Sequence, residues 1–216
     1  VAVADLTLTH ASPKFGAVWR FADAWSLWGG YSRGFRAPPY NDVNIGFTHL
    51  AFGYTALPNP DLKPETSAGL ELGLRYRGPA LAWSLSAYRN RYRDFIESLR
   101  FIGVNEEGLS LFQSQNIARA PIEGIELQGD LQGDALHARL QGWRLRAAAA
   151  VSRGRDRDSG DPLDTADPAR ATLGLGYDAE SGDWGFELSG RFAQRQRRMT
   201  DPARYRPAGY GVFDLN

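Results

Sequence analysis

The sequence predicts an all-β fold, an antiparallel meander that forms part of a transmembrane β-barrel. Three observations carry the expectation. Apolar and polar residues alternate strictly through roughly nine segments. Aromatic residues gather at the segment ends, and the connections between segments alternate between short and long.

The alternation begins in KFGAVWRF, with Phe15, Ala17, Trp19 and Phe21 on one face. It recurs in TSAGLELGLRYRG, where Ala68, Leu70, Leu72, Leu74 and Tyr76 oppose Ser67, Gly69, Glu71, Gly73 and Arg75. LAWSLSA places Leu81, Trp83, Leu85 and Ala87 together, and GWRLRAAAAV does the same for Trp143, Leu145, Ala147, Ala149 and Val151. Ala171, Leu173, Leu175 and Tyr177 share a face in ATLGLGY, as do Trp184, Phe186, Leu188 and Phe192 in WGFELSGRF. No convincing amphipathic helix interrupts the series. The other face carries Glu71, Arg75, Arg144, Arg146, Glu187 and Arg191 among glycine and serine. A soluble sandwich also leaves one strand face polar. Trp19, Phe21, Trp25, Tyr76, Trp143, Tyr177 and Trp184, at strand ends beside short turns, favour the membrane reading, because interfacial aromatic girdles flank the apolar band of a barrel.

Short turns are expected at Ala22-Asp23-Ala24, at Gly78-Pro79 and from Asp178 to Asp183, with a somewhat longer one near Gly133-Asp134. Long connections are expected at Arg36–Pro64, Leu99–Phe112, Gly154–Pro168 and Gln196–Ala208. Short periplasmic turns and long outer loops then orient the sheet, with the long connections outside. In YRNRYRDF, Arg89, Arg91 and Arg93 interrupt the apolar register of Leu81, Trp83 and Leu85. Each would cost about 2–4 kcal/mol at mid-bilayer, so they belong at the outer rim, against lipid phosphates.

Composition narrows the function. The 216 residues carry a formal net charge of zero, so no global basic field points to nucleic acid. Lysine occurs only at Lys14 and Lys63, and the remaining cationic residues are arginine, which suits a lipopolysaccharide-facing surface as well as it suits a GC-rich genome. Cysteine is absent, which excludes disulfides, thiolate metal sites and cysteine nucleophiles. No run approaches the ~18 apolar residues of a spanning helix, and the residues from Val1 show neither a charged n-region nor an apolar core, so any signal peptide of the full protein is expected to have been removed or to lie outside this chain. No serine–histidine–acid elbow and no phosphate-binding glycine loop occurs, so catalysis has no candidate. Asp156, Asp158, Asp161 and Asp164 lack EF-hand spacing, and a solvated outer loop is the preferred reading.

The longest connection stands far above the ordinary ~4–6 residues. Ala37-Pro38-Pro39 gives a rigid exit from a strand, and Asn59-Pro60-Asp61 turns the chain back towards the next. Between these corners lies His49, in GFTHLAFGY, with Phe47, Phe52 and Tyr54 as apolar or stacking neighbours. A neutral imidazole can donate a lone pair to a metal ion. The alternative is a histidine packed on its own aromatic loop. His10, before the first strand, falls on the outer side as an auxiliary contact at most, and His137 falls on the opposite side.

FRAP (Phe35, Arg36, Ala37, Pro38) and NPDL (Asn59, Pro60, Asp61, Leu62), with His49 between them, resemble the paired boxes of the TonB-dependent outer-membrane haem and haemoglobin receptors. The family commonly has asparagine where this chain has Asp61. LKPETSAGLELGLRY, YRDFI, IEGIELQ and PLDTADPARATLGLGY continue the resemblance over most of the chain. It implies a barrel of about 22 antiparallel strands in the Gram-negative outer membrane. Residues 1–216 are expected to be one part of that barrel domain, with the plug, the last strands and the TonB-engaging segment outside it. It further implies that His49 is the axial ligand of haem iron, that Phe47, Phe52 and Tyr54 contact the porphyrin, and that the two boxes shape the loop. Haem would be a transported ligand, with no permanent cofactor, delivered free or by haemoglobin or another carrier protein. The expected partners are the TonB complex, outer-membrane lipid and lipopolysaccharide. A ferric-siderophore receptor, which has no need of His49, is the alternative in the same class, and an outer-membrane pore or barrel enzyme is the alternative outside it.

Overall fold

The computed structural model describes residues 7–164, 166–199 and 205–216. Its strands are β1 (Lys14–Ala22), β2 (Trp25–Arg36), β3 (Phe47–His49), β4 (Tyr54–Leu57), β5 (Glu65–Arg77), β6 (Leu81–Val104), β7 (Ser110–Gln132), β8 (Trp143–Gly154), β9 (Arg170–Asp178), β10 (Gly185–Ala193) and β11 (Tyr210–Leu215). Nine of them follow one another as a meander in the order β1-β2-β5-β6-β7-β8-β9-β10-β11, each antiparallel to the next. Two further strands, β3 and β4, stand off this path in the long connection after β2.

Register puts the apolar residues of successive strands side by side. Leu27, Leu74, Leu85, Leu127, Ala149, Ala171 and Phe192 form one transverse row of cross-strand partners. The adjacent row, one residue along each strand and therefore on the other face, runs Trp28, Gly73, Ser86, Glu126, Ala150, Arg170 and Ala193. The first face is exposed although apolar, with Leu70 62% and Leu72 56% accessible. The second lines a concave groove of 810 Å3 that includes Trp28, Glu71, Ser86, Glu126, Gln128 and Arg191. Charges on this inner face pair with one another. Arg144 and Arg146 share Glu187 at 3.6 and 3.7 Å, and Arg191 binds Asp214 at 2.9 Å. Gly73 is required by the wall itself, because a Cβ there would stand 2.3 Å from the Trp28 ring.

Aromatic rings cluster at the short-turn end, as the sequence predicts. Trp25 packs on Tyr76 and Trp83 at 4.8 and 5.6 Å, and Tyr177 joins Trp143 and Trp184 at 5.1 and 5.3 Å. The turns at 23–24, 78–80 and 179–184 are short, and the connection at 155–169 is long. The connection at 194–209 lies partly outside the described residues.

Two expectations need correction. The stretch Leu99–Phe112 is no open loop. β6 and β7 continue well past the end of β5, whose Thr66 pairs with Arg93, and close on a turn in which Asn105 N–H donates to the Leu109 carbonyl at 3.0 Å. Bulges between Glu97 and Arg100 and between Phe101 and Gly103, with Leu99 at φ 53°, break the period-two pattern that would have revealed the strands. The sheet is also not antiparallel throughout, since β4 pairs parallel with β7 through Tyr54↔Ser110 to Leu57↔Gln113. A five-residue helix, α1 (Tyr40–Asn44), also stands in the long connection, too short to leave a periodic signature.

Candidate functional site

The connection from Arg36 to Pro64 folds down on the extended β6–β7 hairpin. Pro38 is buried, and Pro39 caps α1, whose Asp42 and Val43 N–H groups donate to the Pro39 carbonyl. Val43, Leu62 and Ile96 then form a small buried cluster that ties helix, box and strand together. Asn59 makes the return corner. Its N–H donates to the Asp42 carbonyl at 2.7 Å, its Nδ2 donates to the Ser114 carbonyl at 2.9 Å, and its Oδ1 accepts from Asp61 N–H at 3.1 Å. Ser114, 2% exposed, donates from Oγ to Asp42 at 2.8 Å and accepts from Leu99 N–H at 3.2 Å. Pro60 and Asp61 stay exposed.

The first box lies at the foot of the same assembly. Arg36 and Glu65 are cross-strand partners 3.9 Å apart, and the buried Glu65 carboxylate accepts from Ile96 N–H at 3.0 Å. Phe35 stacks on His10 with ring centroids 4.9 Å apart. Ala37 is exposed, so the box contributes backbone direction there rather than a contact surface.

At the far end of the connection, β3 and β4 form a short hairpin in which His49 pairs with Tyr54 and Phe47 with Ala56. A 3-10 turn over Leu50–Phe52 and Gly53 at φ 66° close it. The His49 ring lies 4.5 Å from Phe52 and stacks on Tyr54 at 5.9 Å. Tyr54 continues to Phe47 and Phe112 at 5.8 and 5.9 Å, and Phe112 continues to Phe101 at 5.8 Å. The result is a shelf of aromatic rings open to solvent, with Phe52 76% exposed. Neither His49 nitrogen hydrogen-bonds to another described residue, so an imidazole lone pair is available. No group of three or more His, Cys, Asp or Glu side chains that could hold a metal ion occurs among the described residues.

The structure therefore brings His49, Phe47, Phe52 and Tyr54 together. It sets the box residues at the loop base, away from the rings. Sequence reasoning missed Phe101 and Phe112, which arrive from the β6–β7 hairpin. The signal available was two apolar stretches around the turn NEEG, a hairpin hidden by its bulges. His137 lies in the β7–β8 connection, where its Nδ1 accepts from Arg139 N–H at 3.0 Å. Asp156 is occupied in its own turn, accepting from Asp158 N–H at 2.8 Å, and Asp158 pairs with Arg119 at 2.8 Å.

A strand meander with an exposed apolar band, an interfacial aromatic cluster, a polar concave face and loops gathered at one end defines a piece of an outer-membrane β-barrel. Residues 2–216 match the family model described as TonB dependent receptor-like, beta-barrel. The chain belongs to that family. It is 33% identical over 201 residues to the hemoglobin-haptoglobin utilization protein B of Neisseria meningitidis serogroup A, covering 82% of this chain and 24% of that protein. It is 37% identical over 125 residues to an iron-regulated outer membrane virulence protein of Vibrio cholerae, covering 55% of this chain and 19% of that one. Among solved structures, the copper transporter OprC superposes with a TM-score of 0.75 at 26% identity, over 94% of this chain and 30% of that one. A ferric enterobactin receptor mutant from Pseudomonas aeruginosa does so at 0.70 and 21% identity, over 94% and 32%, which shows the shared fold. The chain spans about a quarter of the length of the Neisseria meningitidis relatives it matches.

Proposed function

We propose that the protein is a TonB-dependent receptor for haem uptake, taking haem from haemoglobin or another carrier protein at its outer loops. Its work is transport, with no chemical conversion of the ligand. The observation that carries the reading is His49, an imidazole without a hydrogen-bond partner among described residues, set in a shelf of exposed rings at the loop end of the sheet. The nitrogen offers an axial bond to iron, and Phe47, Phe52, Tyr54 and Phe112 offer faces and edges to a flat porphyrin. Relatives whose names specify hemoglobin-haptoglobin utilization, or binding of hemoglobin and hemoglobin-haptoglobin, support the same ligand class. Capture requires only binding energy. Passage inward draws on TonB, because the outer membrane offers no ATP or ion gradient of its own.

The deciding experiment titrates haem into the full-length receptor and into His49→Ala, following the Soret band. Loss of the axial nitrogen is expected to weaken binding by about tenfold or more and to change the spin state, while the folded barrel stays intact. An unchanged spectrum together with undiminished haem-dependent growth would overturn the assignment. If haem neither binds the wild type nor supports growth through it, while ferric siderophore supports growth equally through both proteins, the siderophore alternative replaces it.

A further inference from the structure

The β6–β7 hairpin outgrows its neighbours. β5 reaches only to the Thr66↔Arg93 pair and β8 only to Ile122↔Gly154, so the hairpin rises above them as a ribbon with β4 as its one further strand partner among the described residues. A two-stranded ribbon is marginally stable by itself, yet this one carries Phe101 and Phe112 to their places beside Tyr54. Two successive cross-strand pairs fix its base, and each serves a different connection. Ile96, paired with Asn116, is buried with Val43 and Leu62. Asn116 accepts from Lys63 N–H at 2.8 Å, and its Nδ2 donates to the carbonyls of Lys63 at 3.0 Å and Asp94 at 2.7 Å. Both residues therefore hold the connection that carries His49. The adjacent pair, Phe95 and Ile117, is buried instead with Ala120 and with Leu163 from the β8–β9 connection. Neighbouring strand residues point to opposite sides, so the ribbon is gripped between the two connections.

Leu163 enters a socket shaped to receive it. The connection leaves β8 along β7, with Arg155 N–H donating to the Pro121 carbonyl at 3.3 Å and Arg157 N–H to the Arg119 carbonyl at 2.9 Å. It then returns through a single bridge between Arg155 and Pro162, and Leu163 N–H donates to the Gly154 carbonyl at 3.1 Å. The leucine is 2% exposed, in a connection that otherwise lies mostly in solvent. Its side chain occupies the space left by two small residues. Ala120 is fully buried beneath it, and a Cβ on Gly154 would stand 2.9 Å from the Leu163 Cδ1. Tyr92 and Ile122 close the sides, Tyr92 lying 5.3 Å from the Phe95 ring.

We propose that Leu163 is a positioning residue for haem capture: it locks the base of the hairpin that supplies Phe101 and Phe112 and that holds the His49 hairpin through β4. The proposal rests on the haem reading of the shelf, and it adds a connection that lends the shelf no ring of its own, since residues 155–169 contain no aromatic side chain. The lever is long. Ile96 and Phe101 are five residues apart on β6, ~17 Å at ~3.4 Å each, so a tilt of about 5° at the base displaces the rings by ~1.5 Å. A shelf that is assembled for a smaller fraction of the time binds more weakly in that proportion, while the complex it finally forms is unchanged. Loss of Leu163 therefore lowers affinity and leaves the iron its His49 ligand.

The test titrates haem into the full-length receptor and into Leu163→Ala, and follows hydrogen exchange over residues 97–113 in the haem-free proteins. Truncation opens a void between Phe95, Ile117 and Gly154, so exchange should quicken and haem affinity fall about fivefold to tenfold. The Soret band of the saturated variant should match the wild type, unlike that of His49→Ala. Gly154→Ala, which drives a methyl group into Leu163, should reproduce the loss, and Leu163→Met, which keeps the volume, should stay within about twofold of wild type. Leu140→Ala, an exposed leucine in the β7–β8 connection, should change nothing. The band of an unheated gel reports that each barrel is folded. A wild type that binds no haem overturns the haem reading and this proposal with it. Haem bound equally by wild type and Leu163→Ala, unchanged exchange over 97–113, a shifted Soret band in saturated Leu163→Ala, or an equal loss in Leu163→Met overturns this proposal alone.

Discussion

Asn59 does more than turn the chain. Its backbone and side chain hold Asp42, Asp61 and Ser114 at once, and Leu62, three residues on, is buried against Val43 and Ile96. Asn59→Ala removes the two side-chain bonds and leaves the Ser114 carbonyl without its Nδ2 partner, a cost of roughly 1–3 kcal/mol confined to the loop. Limited proteolysis should therefore cut faster within residues 45–57, and haem affinity should fall, while the sheet resists as before. Unchanged cleavage would mean that the corner is held by Pro58 and Pro60 alone. His49 was legible in the sequence because it stands between two proline corners. Its ring partners on the hairpin were not, because Phe101 and Phe112 lie more than fifty residues downstream and meet it only through the β4–β7 pairing.

At the scale of elements, the six period-two strand patterns were readable because each strand has one face towards lipid and one towards the groove, so residue polarity alternates with the pleat. The four residues of β4 carry no comparable signal, and a parallel partner far along the chain leaves none locally. Yet this short strand joins the His49 hairpin to the rigid β6–β7 extension. Thr55 sits at its centre, paired with Thr48 on one side and Leu111 on the other, with its Oγ1 3.1 Å from that of Thr48. Thr55→Pro removes a backbone donor between two partners and should detach the hairpin. Haem binding in the full-length receptor is then expected to fall at least as far as in His49→Ala, although no aromatic side chain has changed. Binding equal to wild type would show that the rings act without the strand that positions them.

The whole sheet presents neighbouring residues to opposite solvents, and β7 allows that to be tested within one dipeptide. Leu127 points outward in the row with Leu85 and Ala149, about ten ångströms above Leu81 by the ~3.4 Å rise and ~40° tilt used for barrels, hence near the middle of the apolar band. Gln128, the next residue, lines the concave groove between Ser84 and Ala148. Arginine at position 127 must be taken into hydrocarbon, at a cost of about 2–4 kcal/mol at mid-depth. Arginine at position 128 enters a wall that already holds Arg75 and Arg191 beside Glu71 and Glu126. In the full-length receptor folded into vesicles, Leu127→Arg should lower unfolding stability by that amount, and Gln128→Arg should change it by less than about 1 kcal/mol. A soluble packing of the apolar face would reverse no sign at Leu127 but would make its penalty insensitive to bilayer thickness. A membrane-facing Leu127 should instead lose part of its penalty in a thinner bilayer, where the same residue lies nearer the interface. Identical penalties in thick and thin bilayers would remove Leu127, and the transverse row it belongs to, from the lipid.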